Sequence, residues 1–331
     1  MAINTRVSGR GALMNKPPTI GFIGFGEAGS GLAKGLASGG LERIASYDIN
    51  RRTPGLGERI EARAAEAGVR LVDTSEELAV ASDILLSTVT ADQALNAAGQ
   101  TASFLEGRHI YADLNSVSPQ LKRSISKVVE TRGACFIEAA IMSPVGPHGH
   151  RVPMFLSGRN ASRLVDAMAP YGMKLEVISD EIGAASAAKM CRSIVVKGLE
   201  ALMLECVMAA VPYGVDDRVL ATLDESYPGL DWKNLANYMV GRVVEHGERR
   251  ARELEEVAAM LRAMDLNPIM AEAAAKRQDW CASLDLLSKF GAEAPRDYKS
   301  VVKAITEKGP ATAERSVSAA GGDQGSNQPK K

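Results

Sequence analysis

Cysteine and histidine are scarce in this chain, and neither is clustered. Its four cysteines and four histidines are dispersed, with no C-x-x-C pair among the cysteines. This spacing fits neither a disulfide framework nor a zinc site, so we expect no bound metal. Reduced thiols in a cytoplasmic setting are the simplest interpretation of these cysteines. The cysteines are Cys135, Cys191, Cys206 and Cys281.

Long apolar runs and an excess of charge of one sign are also missing. No stretch approaches the roughly 18 apolar residues of a membrane-spanning helix, and the formal net charge at pH 7 is −1. The sequence therefore gives no indication of a membrane or nucleic-acid partner. Residues 1–18 lack acids but have no apolar segment, which excludes a secretory signal. We expect a disordered extension there, in preference to a transit peptide.

Glycine is abundant, and three of the 31 glycines stand in the pattern G-x-G-x-x-G. They are Gly24, Gly26 and Gly29, which follow a short apolar run and precede a helix-compatible segment. A second short strand then ends on Asp48, roughly twenty residues past the last glycine. Strand, turn, helix and acid in this order are typical of a dinucleotide-binding unit. The alternative is an accidental glycine-rich loop, for which the following acid has no explanation.

Each part of this pattern has a physical role in holding a dinucleotide. Gly24 allows the tight turn after the strand, and Gly26 lets the backbone approach the pyrophosphate. Gly29 lets the following helix pack close to the sheet, with its free N–H groups and positive end toward the phosphates. Asp48 accepts hydrogen bonds from a ribose hydroxyl.

The residues after Asp48 bear on the choice of cofactor. Asp48 should repel a 2′-phosphate, whereas Arg51 and Arg52, which follow Asn50, could hold one. We expect NAD, with NADP not excluded.

Strands alternate with helices through the rest of the first half, which predicts a Rossmann-type, doubly wound parallel sheet. Ser75 is expected to cap one helix, while Ser118 and Pro119 suit the N-cap and first position of another. The strand 83–89 ends with Thr88 and Val89 at the sheet edge where open α/β sheets bind ligands. The predicted strands are 20–23, 44–47, 69–72, 83–89, 109–113, 134–139, 153–157 and 174–178, with helices to about 37 and over 56–67, 75–81, 118–131 and 161–171.

The second half reads as helical throughout. Residues 184–211 are mostly Ala, Met, Leu, Val and Cys, with charged residues interspersed and no proline, which predicts one long, largely buried helix. Apolar residues at three-to-four spacing predict further helices over 231–244, 248–264 and 268–283. The expected organisation is a Rossmann domain over 19–182, an all-α domain over 183–308 and a disordered tail over 309–331.

Over Thr19–Ser283 the chain resembles the β-hydroxyacid dehydrogenase superfamily, which includes 3-hydroxyisobutyrate, tartronate semialdehyde and 6-phosphogluconate dehydrogenases. Besides the glycine turn, 113–119 is similar to the family's D-x-S-T-x-x-P. The resemblance implies that Ser116 contacts the nicotinamide side of the cofactor, and that Asn115 replaces a serine. Residues 138–144 correspond to the substrate loop D-A-P-V-S-G-G but depart from it. Met142 takes the place of the substrate-binding serine, and Ser143 and Pro144 replace the glycines.

Two further similarities lie in the second half. Gly183 and Lys189 match the family's G-x-x-x-x-x-K, and Ser193 stands at the family's asparagine position. Arg252 opens a segment similar to the family's K-D-L, which reaches back toward the nicotinamide. The chain looks most like a poorly characterised subgroup of 6-phosphogluconate-dehydrogenase-like proteins. The implied cofactor-binding residues are Gly24, Phe25, Gly26, Glu27, Ala28, Gly29, Asp48, Asn50, Arg51, Thr88, Val89, Ser116 and Arg252.

The resemblance implies an NAD(P)-dependent dehydrogenase with Lys189 as general acid and base. A lysine suits this role where burial and a neighbouring cation such as Arg192 lower its pKa. The alternative is a lysine extending from an interdomain helix into solvent, and Lys197 is the obvious comparison. Ser193 either positions the substrate or packs the helix. His246 and Arg252 either clamp an anion or belong to a solvated helix face.

Two rival functions stay open. An imine reductase shares this architecture, but such enzymes typically replace the lysine. A nucleotide-binding sensor that has lost its chemistry is favoured by the altered substrate loop. We expect a small substrate that carries a carboxylate, and a homodimer formed through the apolar helix 184–211. The implied substrate-binding residues are Asn115, Met142, Ser143, Pro144, Lys189, Ser193 and His246.

Overall fold

The computed structural model describes residues 17–291 and 293–308. The predicted extension, apart from residues 17 and 18, and the predicted tail over 309–331 lie outside the described residues. Residue contacts divide the chain into two units, with the boundary between Met190 and Cys191. The predicted boundary between 182 and 183 lies a little earlier in the chain.

The first unit is organised around a mostly parallel sheet, as predicted. Within the described residues, every neighbouring pair of strands is parallel except β6 and β7. Their order across the sheet is β3-β2-β1-β4-β5-β6-β7-β8. The described strands are β1 (Ile20–Ile23), β2 (Ile44–Tyr47), β3 (Arg70–Leu71), β4 (Ile84–Ser87), β5 (Ile110–Asp113), β6 (Cys135–Ile141), β7 (Met154–Ser157) and β8 (Leu175–Ser179).

Helices cover both faces of the sheet, which explains why the central strands are continuous apolar runs. In β4, Ile84 packs in one core layer and Leu85 in the other, because successive side chains of a strand point to opposite faces. Leu36 joins the first layer and Ile125 the second. The helices of this unit are α1 (Glu27–Ser38), α2 (Leu56–Ala67), α3 (Ser75–Ala81), α4 (Ala94–Ala102), α5 (Pro119–Val129), α6 (Val145–His148) and α7 (Ala161–Met168), followed by α8 (Ala184–Ala210), which crosses into the second unit.

The helix caps confirm one prediction and correct another. Ser118 caps α5 by accepting a hydrogen bond from the Leu121 N–H at 3.3 Å, and Pro119 is the first helical residue. The cap of α3 is Thr74, whose hydroxyl accepts from the Glu77 N–H at 3.1 Å, so the prediction of Ser75 was wrong. Ser75 instead donates to the Gln100 carbonyl at 3.4 Å. The two neighbouring hydroxyls are chemically equivalent as caps, which is why the sequence did not separate them.

The second unit is all helical in its described residues, as predicted, but its boundaries differ. The helix α10 (Trp232–Arg262) is continuous where two helices, 231–244 and 248–264, were predicted, because Gly247 in the gap between them serves helix packing. A Cβ at Gly247 would lie 2.8 Å from the Gln278 carbonyl oxygen, so the glycine allows close packing of two helices. The helices after α8 are α9 (Asp216–Ser226), α10 (Trp232–Arg262), α11 (Ile269–Ser283) and α12 (Tyr298–Lys308).

The long helix α8 is less buried than predicted. Val195 and Leu202 are 61% and 54% exposed, and Leu199 between them is 38% exposed. Leu204 and Val207, in contrast, are buried in the core of the second unit. The prediction of a largely buried helix was therefore wrong, because apolar composition alone does not show which face of a helix is covered. No helix of the described residues is long and apolar enough to cross a membrane.

Candidate active site

The glycine turn has the geometry that makes glycine necessary at two of its three positions. Gly24 has φ of +83°, and a Cβ there would lie 2.8 Å from the Val89 side chain. A Cβ on Gly29 would lie 2.6 Å from the Thr88 hydroxyl, so α1 packs tightly against the end of β4. A Cβ on Gly26, in contrast, would meet nothing within 4 Å. The backbone at Gly26 therefore faces open space, which a dinucleotide's phosphates fit.

The residues around these glycines differ in their burial and in their contacts with the turn. Phe25 is completely buried, with its ring edge-on to Phe22 and its N–H bonded to Asp48, so its contact with a cofactor stays a prediction. Glu27 begins α1 and its side chain is 95% exposed, while Ala28 is half-buried. Thr88 braces the turn by donating its hydroxyl proton to the Gly24 carbonyl at 2.8 Å.

A cleft of about 210 Å³ opens beside this turn. Six of the predicted cofactor residues line it, namely Gly24, Gly26, Asp48, Asn50, Thr88 and Val89. The sequence analysis missed a polar wall of the cleft formed around α4 by Gln93, Asn96 and Gln100 together with Ala97. Their spacing of three, four and seven residues is the signal that could have identified one helix face.

Asp48 ties the end of β2 to the glycine turn. Its Oδ2 accepts a hydrogen bond from the Phe25 N–H at 2.7 Å, and its Oδ1 accepts one from the Asn50 N–H at 2.8 Å. A carboxylate oxygen has more than one lone pair, so these bonds leave Asp48 able to accept from a ribose hydroxyl as well.

The two arginines after Asn50 converge on a single acid that the sequence analysis did not single out. Arg51 and Arg52 both donate to Oδ1 of Asp73, at 3.0 and 3.2 Å. Arg51 also lies 3.7 Å from Glu61. The charges of both arginines are therefore partly compensated within the protein.

Behind the cleft, a buried polar network joins the carboxyl ends of β4 and β5. Asn115 is 5% exposed, and its amide donates to Ser87 at 2.9 Å and accepts from the Val89 N–H at 2.8 Å. Asp113 forms a fully buried ion pair with Lys122 at 2.6 Å. Both polar atoms of the Asn115 side chain thus have partners inside the unit, and its predicted contact with substrate stays a prediction.

Lys189 and Ser116 are brought together from 73 residues apart. The Lys189 ammonium donates to the Ser116 hydroxyl at 2.6 Å, and both residues belong to the first unit. Ser116 follows Asn115, which contacts Val89 in the wall of the cleft. The pair therefore lies at the same edge of the sheet as the cleft.

Lys197, the lysine with which Lys189 is compared, has different contacts from Lys189. Lys197 is buried in the second unit, forms a 2.6 Å ion pair with Glu253 and donates to the Ser193 hydroxyl at 3.1 Å. Burial lowers the pKa of Lys197, and the charge of Arg250 acts in the same direction, while Glu253 opposes both. This lysine has the contacts of a structural residue.

The candidate substrate loop follows β6. Met142 donates its N–H to the Pro153 carbonyl at 2.9 Å, which holds the start of the loop against β7. Met142 and Ser143 are partly exposed and Pro144 is exposed, so all three are accessible to a ligand. The segment after them contains the short helix α6 (Val145–His148).

The candidates His246 and Arg252 belong to the second unit and take part in ion pairs along α10. Arg252 donates to Glu255 at 2.8 Å, and that hydrogen bond raises the pKa of Arg252. His246 lies 3.2 Å from Glu245, while burial lowers the pKa of His246. These contacts fit the alternative of a charged helix face, and binding of an anion or cofactor by the two residues stays a prediction, as it does for Ser193.

No group of three or more histidine, cysteine, aspartate or glutamate side chains in the described ranges is arranged to hold a metal ion. The cleft and the lysine–serine pair instead define a dinucleotide-binding protein of the oxidoreductase type.

Comparison with known proteins agrees with this class. Residues 19–146 match the NAD binding domain of 6-phosphogluconate dehydrogenase, and residues 210–281 match a domain of unknown function, DUF1932. The chain is 32% identical to an uncharacterised 28.5 kDa protein of Methanothermus fervidus, over 76% of this chain and 94% of that protein. It is 26% identical to the mitochondrial 3-hydroxyisobutyrate dehydrogenase of Drosophila melanogaster, over 64% of each chain.

Among solved structures, a conserved hypothetical protein from Sinorhizobium meliloti is 34% identical, with a TM-score of 0.77 over 89% of this chain and 97% of that one. The chain thus belongs to the β-hydroxyacid dehydrogenase superfamily, with an NAD-binding domain of the 6-phosphogluconate dehydrogenase type followed by DUF1932. It is homologous to the 3-hydroxyisobutyrate dehydrogenases.

Proposed function

We propose that this protein is an NAD-dependent dehydrogenase that interconverts the hydroxyl and carbonyl forms of a hydroxyacid-like substrate, with Lys189 as general acid and base. The observation that carries the proposal is the 2.6 Å contact between Lys189 and Ser116 at the cleft edge of the sheet. An amine held beside a hydroxyl at this edge is placed to exchange a proton with a bound substrate.

In this reaction the proton and the hydride leave the substrate for different acceptors. Bound NAD supplies the hydride acceptor. Lys189, as the neutral amine, removes the proton of the substrate hydroxyl while the C–H bond of the same carbon breaks as a hydride. The products are a carbonyl compound, the reduced cofactor and the protonated lysine. Ser116 orients the amine through its hydroxyl, and in the reverse direction the ammonium returns the proton.

The residues around the cleft fit NAD better than NADP. Open space at Gly26 accommodates the phosphates, and Asp48 at the end of β2 supplies the acceptor for a ribose hydroxyl. A 2′-phosphate would meet the charge of Asp48, and the arginines that could bind it are already paired with Asp73.

The substrate loop supports a carboxylate substrate that is bulkier or less polar than the usual small hydroxyacids. Met142 offers an apolar side chain where the family has a serine, and Ser143 and Pro144 take the place of two glycines. Ser193, His246 and Arg252 are the proposed contacts of the substrate or cofactor from the second unit, in accordance with their family positions.

We further propose a homodimer. Val195, Leu199 and Leu202 follow one another at spacings of four and three residues on α8, and all three are exposed. Apolar side chains in such a stripe are normally covered by a partner. A second copy of the chain is the proposed partner, since most soluble oligomers are symmetric assemblies of one chain.

The test compares Lys189→Ala with the wild type in a panel of hydroxyacids and carbonyl compounds. We expect the variant to bind NADH as the wild type does and to lose about 10²- to 10⁴-fold in turnover, the usual contribution of a general base. Lys174→Ala, which removes an exposed lysine of the same unit, serves as the matched control. A wild type that binds NADH but turns over nothing in the panel would support a non-catalytic nucleotide-binding protein instead.

A further inference from the structure

Glu138 is a fully buried carboxylate for which the proposed reaction has no use. It lies in β6, beside Asp113 of β5 and opposite Ser157 of β7, and is 0% exposed. A carboxylate with this little access to water requires several hydrogen-bond donors to stay ionised.

The donors come from β7 and from the start of α8. Ser157 donates its hydroxyl proton to Oε2 of Glu138 at 2.5 Å, and the Gly183 N–H donates to the same oxygen at 2.5 Å. The Ser186 N–H donates to Oε1 at 2.6 Å. The N–H groups at the start of a helix have no partner within the helix, so Glu138 caps α8 from a different element of the fold.

The backbone conformation at Gly183 explains why the group that caps α8 comes from another element of the fold. Gly183, directly before α8, has φ of +106°, which favours glycine. A Cβ at this position would lie 2.6 Å from the Arg123 guanidinium and 3.1 Å from Pro119. A capping side chain therefore has no room at Gly183, and a glutamate reaching from β6 replaces it.

The capped turn is also the turn that carries Lys189. Ser186 precedes Lys189 by three residues, so a shift of the Ser186 backbone is passed to the lysine within one helical turn. Lys189 contacts Ser116 at the end of β5, and Glu138 lies on the neighbouring strand. The buried carboxylate of Glu138 thus fixes the first turn of α8 relative to β5 and β6. Ser116, the partner of Lys189, follows β5.

We propose that Glu138 is the positioning residue for Lys189. Its carboxylate anchors the first turn of α8 so that the amine meets Ser116, and its charge offsets the positive end of the helix near that amine. This assignment rests on the proposed function of Lys189 but concerns a residue that does not touch the substrate.

The test uses Glu138→Gln, which keeps the size of the side chain but removes the charge and replaces one acceptor by a donor. Glu181→Gln is the matched control, because Glu181 is an exposed acid two residues before Gly183. The readouts are amide hydrogen exchange over residues 183–189 and the pH dependence of Lys189 labelling by acetic anhydride, measured by mass spectrometry. Neither readout needs turnover, so a failure of the proposed dehydrogenase activity is distinguishable from a failure of the anchor.

In Glu138→Gln we expect exchange over 183–189 to accelerate about tenfold, which corresponds to the loss of one capping interaction. We expect the midpoint of Lys189 labelling to fall by about half a pH unit, because the positive helix end is no longer compensated. Glu181→Gln should change neither, and NADH binding should stay that of the wild type in both. A labelling midpoint and exchange rate equal to those of the wild type would overturn the proposal.

Should Glu138→Gln fail to fold, Glu138→Asp provides the second test. Aspartate keeps the charge but is one methylene shorter, so it reaches the helix less well. We expect faster exchange over 183–189 with little change in the labelling midpoint. Unchanged exchange in this variant would equally overturn the proposal.

Discussion

Asp73 bears on the proposed preference for NAD over NADP. Both arginines after Asn50 donate to one oxygen of this acid, so their positive charge is not fully available to a 2′-phosphate. In Asp73→Asn the arginines lose this compensation. We expect the dissociation constant for NADPH to fall about two- to fivefold, the effect of one partly exposed charge pair, while that for NADH changes little. Fluorescence titration with the two reduced cofactors measures both constants.

The control for this experiment is Asp92→Asn. Asp92 is an exposed acid next to Gln93 in the wall of the cleft, so the variant makes the same change in net charge. Its effect on NADPH binding should be small. Equal gains in NADPH affinity for both variants would show that only the overall charge of the cleft matters.

We expect His150 to make the stability of the first unit depend on pH. Its ring is buried and packs against α1 at Gly35, where a Cβ would collide with Nδ1 of the ring. Burial lowers the pKa of His150, and the charge of Arg151 lowers it further. The unfolded chain therefore takes up this proton first as the pH falls. The stabilisation is complete above the ordinary histidine pKa of about 6.5 and is lost as the pH falls through the lower folded value.

We expect the Tm of the wild type to drop on acidification from neutral pH, and to drop less in His150→Leu, because leucine has no proton to take up. Differential scanning fluorimetry across this pH range measures the change. His148→Leu, at an exposed position two residues earlier, should keep the wild-type dependence. Part of the pH dependence of Tm should remain in every variant, since burial also lowers the pKa of His246.

At the scale of single elements, the strands of the first unit were predictable because buried parallel strands are short apolar runs between turns, whereas the helix α4 (Ala94–Ala102) was not predicted. The predicted strand 83–89 contains the observed Ile84–Ser87, with the differences confined to its ends. The glycine turn was predictable for a different reason, since only glycine fits at Gly24 and Gly29.

The glycines of α10 serve packing. Gly247 lies in the gap between the predicted helices 231–244 and 248–264, and Gly247 and Gly241 both approach the backbone of other segments. A Cβ at Gly241 would lie 2.5 Å from the Pro295 carbonyl oxygen. Helix continuity here depends on what packs against the glycine, which is a tertiary property that the local sequence does not encode.

Contacts between residues far apart in the sequence limit how much of the candidate site could be predicted. Resemblance to a family indicated Lys189 and Ser116, and the structure shows them in contact. The cap formed by Glu138 joins residues 45 and 48 positions apart, and nothing in the local pattern around either end predicts it. Asp73 was missed for the same reason, since its partners belong to the loop after β2.

At the scale of the whole molecule, a dimer through α8 is the remaining prediction. Leu202 is 54% exposed on the second unit, and a partner copy would bury it together with Val195 and Leu199. In Leu202→Glu, a charge would have to enter that apolar interface, so we expect the dimer dissociation constant to rise about tenfold or more. Light scattering coupled to size-exclusion chromatography should then show a shift toward the 35.1 kDa monomer.

Leu230→Glu provides the comparison, because Leu230 is a similarly exposed leucine of the second unit that precedes α10 rather than lying on α8. This variant should keep the mass of the wild type if the stripe on α8 forms the interface. A wild type that elutes as a monomer at all concentrations would contradict the proposed dimer. Monomerisation by both variants would contradict an interface confined to the stripe on α8, because a charge outside α8 would then weaken association as strongly as one within the stripe.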